Sequence, residues 1–105
     1  MRYEFVHDDR LGIRLPMLYH DWDEYTAEER ADMLFTWEEI RAKIPDRIMH
    51  LESIIAKKQQ QLAEEEDFGH CCRLNSEIAE LASIINDLNI WFRVQQDYAT
   101  QHTHQ

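Results

Sequence analysis

Residues 44–92 read IPDRIMHLESIIAKKQQQLAEEEDFGHCCRLNSEIAELASIINDLNIWF, and the apolar positions of this stretch decide the fold. Ile44, Ile48, Leu51, Ile55, Lys58 and Leu62 are spaced 4, 3, 4, 3 and 4 apart. Leu74, Ile78, Leu81, Ile85, Leu88 and Phe92 repeat the same spacing. Such spacing keeps one stripe on one face of a helix. The two stripes mirror each other about Phe68: Ile44 meets Phe92, Ile48 meets Leu88, Leu51 meets Ile85, Ile55 meets Leu81 and Leu62 meets Leu74. The expected architecture is all-α, a long antiparallel, coiled-coil-like helical hairpin with facing seams in register. Lys58, opposite Ile78, is the one charged seam position. It is expected to lay its stem on the seam and keep its ammonium in water.

Working outward, Asp67-Phe68-Gly69 breaks the pattern, and Gly69 is the expected left-handed residue closing the first arm. The second helix is expected over residues 70–98, with a frayed tail over 99–105. Upstream, Thr26-Ala27-Glu28-Glu29 has the form of a capping box, so the first helix is expected over residues 26–66. Pro45 interrupts it, because proline removes a helical hydrogen bond and clashes with the preceding turn. A bend there is favoured over a complete break.

Residues 1–25 are expected as an irregular arm or a small β-hairpin, with Arg2–Val6 and Leu11–Leu15 as the candidate strands. Two strands alone are too few to be stable, so this segment must lie on the helices. Ile54 flanks the first seam, and Ile84 and Trp91 flank the second. They make the apolar face wide at the open end, while the tip is bordered by Gln and Glu. Phe5, Leu15, Leu18, Trp22 and Phe35 are the candidate cover. A second copy of the chain is the alternative, giving a homodimer in a four-helix arrangement, and both together are the expected solution. The 105 residues are expected to form a single domain.

The chain has 21 acids against 11 bases, a net charge of −10. That excludes a nucleic-acid backbone and an anionic membrane surface as expected partners and favours a protein partner. No apolar run reaches membrane-spanning length. Met1–Asp9 lacks the apolar core of a signal peptide. Cys71 and Cys72 are adjacent and suggest no disulfide framework. A cytoplasmic setting is therefore expected.

No catalytic constellation is legible. The serines Ser53, Ser76 and Ser83 fall on helix surfaces, and two glycines cannot make a phosphate loop. No catalytic, cofactor-binding or metal-ligating residue is assigned. Glu4-x-x-His7 lacks the second motif that a carboxylate-bridged metal pair needs. Glu64, Glu65, Glu66 and Asp67 gather at the tip beside His70, Cys71 and Cys72. Thiolate, imidazole and carboxylate together suit zinc, which keeps a metal-binding protein as a minority alternative. Cys71 continues the seam, however, and reads as a packed small residue. Acids at a helix C-terminus oppose its dipole, and that mismatch points to a basic partner or a cation.

Leu74-Asn75-Ser76-Glu77-Ile78-Ala79-Glu80-Leu81, after a helix and a short turn, resembles the second helix of the small sporulation-type aspartyl-phosphate phosphatases. Those are antiparallel helical hairpins acting on a phosphorylated response regulator. The resemblance covers under half the chain. It implies the alternative function of a regulatory phosphatase, without carrying any site residue across. The leading expectation is a small acidic protein-interaction or regulatory module without catalysis. Its candidate interaction residues are Glu64, Glu65, Glu66 and Asp67 at the tip, and Ile54, Ile84 and Trp91 at the open end.

Overall fold

The computed structural model describes residues 2–94. The chain is mostly helical, in the order β1 (Tyr3–Asp8), β2 (Ile13–Leu18), a single 3-10 turn (Trp22–Glu24), α1 (Ala27–Arg41), α2 (Ile44–Glu64) and α3 (Phe68–Phe92). The helical hairpin is α2–α3. Every seam position from Ile44 to Phe92 is buried or half-buried, as the mirrored spacing requires. Lys58 keeps a side-chain exposure of 26% and forms an ion pair with Glu77 at 3.1 Å. The expected ends of the second helix and tail, residues 95–105, lie outside the described residues.

The first helix is bent, and the bend falls at Ala42 and Lys43. Both keep right-handed helical angles, so the chain changes direction without reversing. Pro45 stands in the first turn of α2, where its missing N–H is no loss. Thr26 caps α1 as its motif requires. Its hydroxyl accepts from the Glu29 N–H at 3.0 Å, and the Glu29 carboxylate accepts from the Thr26 N–H at 2.9 Å.

The N-terminal segment is the small β-hairpin of the two alternatives. Its strands pair antiparallel from Tyr3 opposite Leu18 to Asp8 opposite Ile13. Both run two or three residues beyond the expected Arg2–Val6 and Leu11–Leu15. A two-stranded sheet leaves each strand an open edge, the setting in which Pro16 is tolerated. The connecting loop is closed by Asp8. Its carbonyl accepts from the Gly12 N–H at 2.8 Å, and its carboxylate accepts from the Leu11 N–H at 2.8 Å. Gly12 adopts φ +75, a backbone angle that favours glycine, and a Cβ there would lie 2.8 Å from the Arg47 guanidinium, which would have to shift.

This hairpin covers the open end. Leu11 and Ile13 form one core with Trp37 and Ile40 of α1 and Ile44, Leu51, Ile84 and Leu88 of α2 and α3. Polar clamps hold the layers. Arg10 reaches Glu80 (3.1 Å), Ser83 (2.7 Å) and Asp87 (2.7 Å) along one face of α3. Arg41 donates to the Phe92 carbonyl at 2.5 Å and stacks on its ring, putting a cation at the negative end of α3. Tyr25 locks the link between β2 and α1. It is buried, donates to the Arg2 carbonyl at 2.7 Å, and accepts from the Tyr19 and His20 N–H groups. Phe35, an expected cover residue, is instead 67% exposed, because α1 turns Met33, Trp37 and Ile40 inward. Among the described residues no helix is long and apolar enough to cross a membrane.

Candidate functional site

The core ends near Ile54 and Leu81. Beyond it α2 and α3 continue as a two-helix arm of roughly 15–20 Å, at 1.5 Å per residue. The molecule accordingly measures 59 × 28 × 18 Å, and its radius of gyration is 18.3 Å, against about 13 Å for a compact chain of this size. Leu74 is the only buried residue among described residues 55–80. The arm is thus a thin projection held by its seam.

At its end the two helices join through Glu65, Glu66 and Asp67. Gly69 does not close the first arm. It lies in the first turn of α3, and among the described residues Gly12 is the one glycine with positive φ. The link is extended instead. Glu65 leaves α2 at φ −85, ψ 130, and Asp67 is the N-cap of α3, its carboxylate accepting from the His70 N–H at 2.8 Å. A side-chain cap thereby replaces the left-handed turn.

The four tip acids therefore divide by role. Glu65 faces inward: its carboxylate accepts from the Asp67 N–H at 3.0 Å and bonds the His70 ring, while the Cys71 thiol donates to its carbonyl. The Asp67 N–H first, and the His70 ring second, hold the Glu65 carboxyl below its ordinary range. Asp67 is spent on capping. Glu64 and Glu66 are exposed, and their carboxylates form no hydrogen bond or ion pair among the described residues. Just after them, Phe68 opens α3 and is 81% exposed. Sequence reasoning used Phe68 only as the centre of the mirror. Its exposure follows from Asp67: once Asp67 caps α3, Phe68 is the first helical residue and precedes the seam.

Cys71 is half-buried on the seam line and Cys72 exposed, both as free thiols. Among the described residues no group of three or more His, Cys, Asp or Glu side chains is placed to hold a metal ion. Glu4 instead accepts from the Tyr19 hydroxyl at 2.5 Å, and His7 sits 3.3 Å from Asp9.

The open-end residues have a different fate. Ile84 is buried, and Ile54 and Trp91 are half-buried against the core formed with β2, α1 and the β-hairpin loop. Trp91 meets Trp37 edge-on at 5.8 Å. The chain's own hairpin and α1 cover this face, so the tip and the flank are not one surface. No protein-family model, characterised protein or solved structure matches the chain.

Proposed function

We propose that the chain is a protein-interaction or regulatory module without catalysis, which presents the tip of the α2–α3 arm to a basic protein partner. The exposure of Phe68, close in sequence to the exposed Glu64 and Glu66 at the end of a projecting arm, carries this reading. An aromatic ring supplies a compact anchor for a partner, and flanking carboxylates select a basic surface and steer its approach. The expected setting is the cytoplasm, in keeping with two free thiols.

A second copy of the chain is the other form the partner takes in this reading. With the open end covered, its support rests on Phe35, Met49 and Ile90, which stay exposed outside the core. Sedimentation equilibrium decides that form: a strict monomer at high concentration removes it. For the foreign partner, a photo-cross-linking side chain at position 68 is expected to trap one discrete protein in cells. Glu64→Lys with Glu66→Lys is expected to abolish the trap. A trap that survives this double reversal refutes the tip as an acidic interface.

A further inference from the structure

The chain has 11 lysines and arginines among 21 acids, so most cations are expected to find a carboxylate. Four do: Arg2 pairs with Glu29, Arg10 with Glu80 and Asp87, Arg41 with Glu38, and Lys58 with Glu77, while the other seven form no ion pair among the described residues. Three others converge on one cleft without one. The cleft, of 490 Å³, lies between the β-hairpin and the α1–α2 bend, and Arg14, Lys43 and Arg47 line it. Among the described residues none of the three forms an ion pair. The Arg47 guanidinium makes only a hydrogen bond to the Leu11 carbonyl, at 3.2 Å. The side chains of Arg14 and Lys43 make no hydrogen bond among the described residues.

The elements explain why these side chains meet. His7 and Arg14 are directly opposed across the β1–β2 ladder, so they share one face of the sheet. Glu39, Lys43 and Arg47 are spaced by four across the α1–α2 bend and line the facing wall. Gly12 completes the cleft; its missing Cβ leaves the space that the Arg47 guanidinium occupies. Ile13 and Ile40, both buried, supply an apolar portion of the lining. Glu39 is the one carboxylate there and pairs with none of the cations.

We propose that this cleft binds a small phosphate-bearing anion. Gathering three like charges costs self-repulsion, and a multivalent anion reverses that cost. Arginine forks suit phosphate oxygens bidentately, and lysine adds a point charge. The volume falls in the range of small-molecule sites, so the cleft has room for a compact organic body beyond the phosphate. Glu39 opposes the anion and limits its affinity. The site is separate from the arm tip and does not rest on the partner reading.

Calorimetric titration of the intact protein tests this with inorganic phosphate, ribose 5-phosphate and ribose as probes. Ribose 5-phosphate is expected to bind saturably at one site per chain, and ribose not to bind. Equal affinity for inorganic phosphate makes the free ion the ligand; tighter binding of the ester makes it a phosphate ester. Lys43→Gln and Arg14→Gln are each expected to weaken binding about fivefold, and Glu39→Gln to tighten it about fivefold, near 1 kcal/mol per unit charge in water. Arg14, Lys43 and Glu39 are exposed, so circular dichroism is expected to show all three variants folded. Absence of saturable binding by both phosphate compounds overturns the proposal. So does an affinity that none of the three variants moves.

Discussion

Replacing Lys58 by leucine tests the seam at its single exception. The Lys58 ammonium lies 3.1 Å from Glu77, whose side chain is 53% exposed. Solvent screens such a pair, which contributes about 0.2–1 kcal/mol. Leucine forfeits that contribution. It also orders fewer side-chain torsions, which saves about 1 kcal/mol relative to a pinned lysine. The lysine stem already covers much of the seam, so the further apolar gain is about 0.5–1 kcal/mol. Helix propensities of the two residues are similar. The net is about 1 kcal/mol in favour of leucine, or a Tm raised by about 4–8 °C for a domain of this size. Thermal unfolding followed by circular dichroism measures it, with sedimentation equilibrium run alongside. A lower Tm at unchanged oligomer size refutes the reasoning. A double-mutant cycle with Glu77→Ala isolates the pair, and a coupling well above about 1 kcal/mol refutes its assignment as a screened surface contact.

Leu88 is 0% exposed where β-hairpin, α1, α2 and α3 meet, so Leu88→Ala is expected to cost about 2–5 kcal/mol in denaturant unfolding. Leu74→Ala, in the arm, is expected instead to speed hydrogen exchange chiefly within residues 55–80; acceleration spread evenly over the chain refutes that difference. Gly12→Ala meets both a left-handed backbone angle and the Arg47 guanidinium, and is expected to lower stability by about 1–2 kcal/mol; an unchanged Tm counts against the loop geometry. The depressed Glu65 carboxyl stabilises the fold fully above the ordinary glutamate range, and that contribution disappears as pH falls through the lowered folded value. Acid unfolding of Glu65→Gln is therefore expected to show a shallower pH dependence there than wild type, and parallel curves refute it.

Much of the helical part was legible because a helix writes its buried face at fixed spacing. Ile44 to Phe92 obey that spacing, and Thr26 with Glu29 marks the start of α1 by local chemistry alone. The turn was misplaced by a few residues because Gly69 and Asp67 both signal a helix boundary. The aspartate won, since its carboxylate meets the His70 N–H directly. The core of the N-terminal third was less legible. Leu11 and Ile13 are buried through contacts with residues far along the chain, and no local period announces that. Tyr25 is fixed by backbone groups of Arg2, Tyr19 and His20, partners that composition does not reveal. The cationic cleft is not legible in the sequence for the same reason. Arg14 and Lys43 are distant in sequence, and net charge averages them into an acidic whole.

The Arg10 clamp has a consequence for the chain as it is being made. Its partners Glu80 and Asp87 lie 70 and 77 residues downstream. The β-hairpin, α1 and α2 all leave the ribosome before the α3 surface they pack on. Until residue 88 has emerged, Leu11 and Ile13 lack their final cover, and the nascent chain carries them as exposed apolar surface. Completion of α3 is thus the event that closes the core, and synthesis is the interval in which this small protein is most open to association with chaperones or with its own copies.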